Sequence, residues 1–102
     1  MTELLGKLDL YGRVVISKRG RDKGRRFVVI GVFGEDRLLV CDGKLRKVEK
    51  PKKKNMNHLT FTDVSIAEIR EKLHNGEKLV NAHVRKGITQ LRDSLSGQGR
   101  NE

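Results

Sequence analysis

Six basic side chains are concentrated within nine residues of this chain, between two short apolar stretches. They are Lys18, Arg19, Arg21, Lys23, Arg25 and Arg26. A single acid, Asp22, opposes them, so the segment carries a strong positive charge. Cations at this density bind phosphate groups and release the counterions condensed on a nucleic acid. The pattern favours a phosphate-binding loop over a hairpin whose charges are merely solvated.

A second basic region lies further along the chain and could contact the same polyanion. Its candidate contacts are Arg46, Lys47, Lys50, Lys52, Lys53, Lys54, Asn55 and His58. Pro51 stiffens this region, and the like charges repel one another unless an anion gathers them. We therefore predict a phosphate-contacting loop before the last strand; the alternative is a solvated linker. The side chains that could line the adjoining sheet face, or simply be solvated, are Arg37, Lys44, Arg46 and Lys47.

The distribution of charge supports a polyanionic partner. The chain has 102 residues, of which 35% are hydrophobic and 35% charged, and its formal net charge is +10. Residues 1–64 contain sixteen Lys and Arg against eight Asp and Glu, whereas the remainder of the chain is close to balanced. The positive field therefore belongs to the N-terminal part, and nucleic acid is the commonest partner of such a field.

Catalytic and metal-binding chemistry is poorly supported by the sequence. Cys41, the only cysteine, lies in an apolar stretch where a small buried side chain is expected, and a lone cysteine fits a reducing cytosol. His58, His74 and His83 are not spaced as zinc ligands. Phosphate-binding GxxxxGK[ST] and nucleophile GxSxG motifs are absent from the sequence. We predict a cytoplasmic protein that is not an enzyme and has no cofactor or metal.

Neither a membrane segment nor an aromatic platform for stacking bases is expected. No apolar run is long enough to span a bilayer, and the first ten residues lack the apolar core of a signal peptide. The only aromatic residues are Tyr11, Phe27, Phe33 and Phe61, and the three phenylalanines fall within apolar strands. Tyr11 alone is a candidate for stacking on a base. Recognition through shape and phosphates is therefore favoured over base stacking.

Short β-branched stretches separated by glycine-rich or charged turns dominate the chain up to residue 62. Strands are predicted over 13–18, 26–33, 37–41, 45–48 and 58–62, with a bulge or sharp bend at Gly31. Alternation along these strands predicts a core of Val14, Ile16, Val28, Ile30, Leu38, Val40, Leu45 and Leu59. Five short strands without an intervening helix predict a small antiparallel barrel.

The pattern becomes helical from Ser65. Ser65 and Glu68 have the spacing of a capping box, and Asn75-Gly76 is a stop signal. A second helix is predicted from about Glu77, with Gly87 bending it or allowing close packing. Its apolar stripe consists of Val80, Val84, Ile88, Leu91 and Leu95. We expect a barrel over 8–63, a helical segment over 65–95 and a disordered tail over 96–102.

The segment 12–30, GRVVISKRGRDKGRRFVVI, resembles the KOW motif. That motif is a strand–loop–strand unit with a basic, glycine-containing loop, and it occurs in ribosomal proteins and transcription elongation factors. Gly24 falls at the position of the motif's near-invariant glycine. Glycine adopts positive φ without a Cβ clash, which lets a tight loop present its backbone and basic side chains to phosphates.

The resemblance continues over 36–63, which is similar to the region after the KOW motif in the large-subunit ribosomal proteins numbered fourteen of archaea and eukaryotes. Both have a strand ending in valine, an Asp-Gly turn, a basic strand and loop, and a closing strand that contains leucine. The likeness covers roughly residues 10–63. It implies an SH3-like barrel, RNA as ligand and a place in or near the ribosome; bacterial KOW-domain relatives that only visit the ribosome fit equally well.

We therefore expect a mainly β protein, an SH3-like (KOW) five-stranded barrel followed by one or two C-terminal helices. It would bind structured ribosomal RNA through its two basic segments, with ribosomal proteins as further partners and no membrane. The alternative is a protein-interaction module of a transcription or translation complex, with incidental RNA contact. Both a stoichiometric ribosomal protein and a transient factor agree with the resemblance.

Overall fold

A single antiparallel sheet of five strands organises the molecule, whose computed structural model describes residues 10–89. The strands are β1 (Arg13–Ser17), β2 (Arg26–Phe33), β3 (Arg37–Cys41), β4 (Lys52–Asn55) and β5 (Leu59–Ser65). Their order in the sheet is β4-β3-β2-β1-β5, so the chain returns from β4 to pair β5 with β1. Residues 13–48 contain no helix. The predicted fold class is confirmed, and the sheet is compatible with a small SH3-like barrel.

Within the described residues, two helices follow the sheet. Helix α1 spans Ala67–His74 and ends at Asn75, followed by Gly76 at φ +72°, as the stop signal predicted. Helix α2 begins at residue 81, later than predicted, and is described through residue 89. No helix within residues 10–89 is long and apolar enough to cross a membrane. The first nine residues, Leu91, Leu95 and the predicted tail lie outside the described residues.

The predicted capping box at the start of α1 is wrong. The N-cap residue is Ile66, and no side chain caps the helix there. Ser65 instead ends β5, where it pairs with Arg13 of β1, and its hydroxyl accepts a hydrogen bond from Arg13 Nε at 3.3 Å. Because the strand extends through Ser65, this side chain is not available to the first turn of the helix.

The fourth strand lies later in the chain than predicted. Residues 45–48 form part of a loop, and Leu45, predicted as core, is 70% exposed. The strand is instead the polar segment 52–55, in which Lys54 pairs with Leu38 of β3. The reason is local, because Asp42 Oδ1 accepts hydrogen bonds from the backbone N–H groups of Lys44 and Arg46, both at 2.9 Å. These bonds fold the chain into a turn immediately after β3.

Two apolar clusters cover the two faces of the sheet. One consists of Val15, Phe27, Val29, Leu38, Val40 and Leu59. The other joins the opposite face to the helices and consists of Val14, Val28, Cys41, Ile69, Leu79 and Val84. Successive residues of β1 and β2 are therefore both buried, because α1 and α2 cover the face that alternation alone would leave to solvent.

The predicted core is correct at five of its eight positions. Val14, Val28, Leu38, Val40 and Leu59 are buried. Ile16 and Ile30 are only partly buried, and Leu45 is exposed. The predicted irregularity at Gly31 is confirmed by a shift in the β2–β3 register between Val29 and Gly31.

Close packing of α2 on the rest of the fold depends on two glycines. Gly87 is buried, and a Cβ atom there would lie 2.6 Å from Ile66 Cδ1, which confirms the predicted close packing. Gly43, in the loop after β3, has φ +78°, and a Cβ atom there would lie 2.7 Å from the carbonyl oxygen of Asn81. Asn81 also accepts a hydrogen bond from the backbone of Val48 at 2.8 Å. The first turn of α2 thus supports this loop directly.

Replacing Gly43 with alanine is expected to destabilise the protein by about 2–5 kcal/mol. A left-handed backbone costs a residue with a Cβ about 1–2 kcal/mol, and the contact with a fixed backbone oxygen adds about 1–3 kcal/mol of overpacking. Urea unfolding followed by circular dichroism would measure the loss. Gly76→Ala is the matched control, since Gly76 has φ +72° but open space around it. Equal losses in the two variants would show that the contact with α2 is unimportant.

Candidate nucleic-acid interface

The basic loop, residues 18–25, connects β1 to β2 and is closed by its own backbone. The Gly24 N–H donates to the carbonyl of Ser17 at 2.8 Å, and the Ser17 N–H donates to the carbonyl of Arg25 at 3.0 Å. Gly24 has φ +88°, a conformation that residues with a Cβ rarely adopt. The predicted motif glycine therefore occupies a position that requires glycine.

One inward-facing carboxylate holds this loop against the sheet. Asp22 Oδ1 accepts hydrogen bonds from Ser17 Oγ at 2.7 Å and Lys54 Nζ at 2.9 Å, and Asp22 Oδ2 accepts one from Lys52 Nζ at 2.7 Å. Lys54 Nζ also donates to the carbonyl of Arg19 at 3.0 Å. These four side chains, Ser17, Asp22, Lys52 and Lys54, are called the Asp22 cluster below. The cluster ties the basic loop to the edge strand β4.

The electrostatics of the Asp22 cluster favour a fixed negative charge at its centre. Burial of the carboxyl group raises its pKa, but the hydrogen bonds from Lys52, Lys54 and Ser17 outweigh burial, so the pKa of Asp22 lies well below its usual range. Asp22 and Lys54 are both almost completely buried. Two of the lysines that the sequence assigned to RNA thus neutralise a carboxylate within the protein.

The structure presents five of the six predicted cations around this loop at the surface. The exposed side chains are Lys18, Arg19, Arg21, Lys23 and Arg25. Arg26, the first residue of β2, is half-buried. The local geometry therefore agrees with a loop that displays cations on a rigid backbone, and their contact with RNA stays a prediction.

The Lys-rich segment does not form one basic surface, because a strand sends successive side chains to opposite faces. Lys54 points inward and is 6% exposed, and its ammonium group donates a hydrogen bond to Asp22 within the Asp22 cluster. Lys53 points outward, and its Nζ lies 4.2 Å from the centroid of the Phe33 ring in a cation–π contact. Phe33, which the sequence placed within an apolar strand, is 45% exposed at the end of β2.

The remaining predicted residues have separate surroundings. Arg46, Lys47 and Lys50 are exposed in the β3–β4 loop, residues 42–51. The side chain of Asn55 accepts a hydrogen bond from the Asn57 N–H and caps the 3-10 turn Met56–His58. His58 is half-buried, and its carbonyl accepts a hydrogen bond from the Lys18 N–H at 2.8 Å.

An open groove of about 270 Å³ lies between the basic loop and the β3–β4 loop. Its basic lining comes from both predicted segments and consists of Arg21, Arg25, Arg46 and Lys52, of which Lys52 is already paired with Asp22. Two carboxylates also line it, but Asp22 is neutralised by its lysines, and Asp42 lies 3.9 Å from an Arg25 nitrogen. Leu45 forms an apolar part of the rim. This surface, called the basic groove below, could bind a phosphate backbone.

Sequence reasoning missed the importance of Asp22, which it treated only as a charge that opposes its neighbours. A signal was present, since Asp22 is the only acid in the loop, and Lys52 and Lys54 lie at the spacing that places two side chains on one face of a strand. Cys41 behaves as predicted for a buried residue. Burial, with smaller contributions from Asp42 and Glu49, raises the pKa of its thiol to about 12.

Comparison with known proteins found two relatives, each matching about half of this chain. One is YbzG of Bacillus subtilis (strain 168), which carries the provisional name of a ribosome-binding protein; it is 33% identical over 54 residues, covering 53% of this chain and 73% of YbzG. The other is the large ribosomal subunit protein eL14 of Pyrobaculum arsenaticum, 36% identical over 55 residues. The match covers 54% of this chain but only 53% of that protein. No family model matches the chain.

Proposed function

Because this chain belongs to the same family as YbzG and is a distant homologue of ribosomal protein eL14, we propose that it is an RNA-binding protein of the KOW class that acts at the ribosome. Structured ribosomal RNA is its ligand, its site of action is the cytoplasm, and it is not an enzyme. The observation that carries the proposal is the basic groove, in which Arg21 and Arg25 of one loop face Arg46 of another.

The preorganisation of the basic loop supports this proposal. Asp22 fixes the loop through three side chains, and the backbone hydrogen bonds of Gly24 and Ser17 close its base. A loop that is already ordered loses little conformational entropy when it binds. Cations on such a loop read the position of phosphates rather than the identity of bases, which agrees with recognition of RNA shape.

The rival function, docking of a protein partner, is favoured by one observation. Leu45 is 70% exposed at the rim of the basic groove, with Lys44 and Arg46 as its neighbours in the chain. An exposed apolar side chain of this kind could insert into a pocket on a protein. The groove itself, however, is lined by cations, which suit a phosphate backbone better than an apolar pocket.

Co-sedimentation of the full chain with purified ribosomal subunits tests both functions. If about four phosphates are contacted, raising the salt from about 50 to 200 mM should weaken the association roughly a hundredfold. Arg46→Ala should weaken it at low salt, whereas Leu45→Ser should leave it nearly unchanged.

The opposite pattern would overturn RNA binding as the main function. If Leu45→Ser fails to co-sediment at every salt concentration while Arg46→Ala still co-sediments, the association is assigned to protein docking. Both residues are exposed in the same loop. A general disturbance of that loop would therefore affect both variants, and a difference between them reports the role of the side chain itself.

A further inference from the structure

A second crevice, of about 320 Å³, lies beside the basic groove, where one side of α2 meets the end of the basic loop and the β3–β4 loop. Its basic lining consists of Arg25, Arg26, Lys44 and Arg85, which come from three different parts of the fold. Arg85 belongs to α2, and Ile88 of the same helix forms an apolar part of the wall. This space, called the helix crevice below, involves the part of the chain for which sequence analysis gave no ligand.

The helix crevice keeps a net positive lining, although one carboxylate shares it. Asp42 is engaged by the protein, since its Oδ1 accepts hydrogen bonds from the N–H groups of Lys44 and Arg46 and its Oδ2 lies 3.9 Å from an Arg25 nitrogen. Four cations therefore line the crevice against one carboxylate that already has partners.

Two arginines of the crevice retain unused hydrogen-bonding capacity. Arg26 Nε is buried and has no hydrogen-bond partner within residues 10–89, an arrangement that folded proteins rarely leave uncompensated. Arg85 donates from one terminal nitrogen to the carbonyl of Gly43 at 2.8 Å, which fixes the guanidinium at the crevice and leaves its other donors for a ligand. Arginine with free donors is well suited to a phosphate group.

We propose that the helix crevice is a second phosphate-binding site, in which Arg85 of α2 acts together with Arg26 and Lys44. The inference rests on the proposed function where the phosphate belongs to RNA, and the same chemistry fits the phosphate of a small free ligand. In the first case α2 is part of the RNA-binding surface and extends the basic groove around Arg25. In the second case the crevice binds small anions independently of RNA.

Lys44→Ala is the most direct test, because this side chain is exposed and has no hydrogen-bond partner within the described part of the chain. Lys86→Ala is the matched control, since Lys86 is an exposed lysine of α2 that does not line the crevice. Titration with a ribosomal RNA fragment at several salt concentrations should show a slope of log K against log salt lowered by about 0.7–0.9 in Lys44→Ala and unchanged in Lys86→Ala.

A second arm uses pyrophosphate and needs no RNA. Amide resonances of Gly24, Lys44 and Arg85 should shift saturably in the wild-type protein and much less in Lys44→Ala. Saturable shifts without any RNA binding would support a small-anion site and overturn the proposed function instead. Normal RNA binding with equal slopes in Lys44→Ala and Lys86→Ala, together with no localised shifts, would overturn the crevice proposal and leave the proposed function standing.

Discussion

Replacing Asp22 with alanine is expected to destabilise the folded chain by about 3–5 kcal/mol, a large share of the stability of a small domain. The substitution removes the counter-ion of Lys54, whose ammonium group would stay buried beside the Arg19 carbonyl. Urea unfolding at neutral pH, followed by circular dichroism, would measure the loss. Asp63→Ala is the matched control, because Asp63 is an exposed carboxylate of the same sheet and should change stability by no more than about 0.5 kcal/mol.

Two further measurements separate the buried charge from a general disturbance of the loop. Adding Lys54→Met to the Asp22→Ala variant should restore part of the stability, since the unpaired charge is then gone. Acid should reduce the difference between wild type and Asp22→Ala. The folded pKa of Asp22 is depressed, so its contribution is complete above its unfolded pKa of about 3.9 and is lost as the pH falls below that value. A difference that stays constant in acid would contradict the proposed role of the carboxylate.

Replacing Arg19, Arg21 and Lys23 together with alanine is expected to lower the slope of log K against log salt by about two to three units for a ribosomal RNA fragment. At about 0.1 M salt this corresponds to roughly a hundredfold weaker binding. All three side chains are exposed, so the stability of the fold should change little. The loss should be similar for unrelated RNA sequences, because phosphate contacts carry no direct base information.

The control for this experiment removes the same charge elsewhere. Lys72, Lys78 and Lys86 lie in or beside the helices, and within residues 10–89 the ammonium group of Lys72 forms a partly exposed ion pair with Glu77 at 3.7 Å. Their combined replacement with alanine should leave the slope almost unchanged. Equal slopes in the two triple variants would mean that the basic loop contributes only its long-range field. A variant at Lys52, Lys53 and Lys54 would not distinguish these cases, since it would also break the Asp22 cluster.

The strands that carry β-branched residues could be predicted from the sequence, whereas β4 could not. The segments 26–33 and 37–41 coincide with β2 and β3, because apolar alternation there reflects burial. Strand β4 consists of Lys52–Asn55 and has no apolar residue, so neither propensity nor periodicity identifies it. What stabilises Lys54 inside the fold is Asp22, a partner thirty-two residues away in the sequence.

The sequence identified most of the basic residues of the candidate site, but it did not show which of them lie close together in the fold. The sequence identified the basic loop, and the structure brings Arg21 and Arg25 next to Arg46. The sequence alone could not show that Lys54 faces inward, since the direction of its side chain depends on the β3–β4 register. Arg85 was missed because the approach of α2 depends on Gly43, a contact between distant segments that leaves no local pattern.

The reactivity of the buried Cys41 thiol is expected to report on the opening motions of this protein. Cys41 lies in the apolar cluster between the sheet and Ile69 of α1 and Val84 of α2. Because its thiol is both shielded and protonated at neutral pH, alkylating reagents and disulfide exchange must wait for the helices to separate from the sheet. The labelling rate of this single cysteine therefore measures how often the helical layer opens, without a dye or an engineered probe. The same shielding protects the chain against oxidative cross-linking for as long as that layer stays closed.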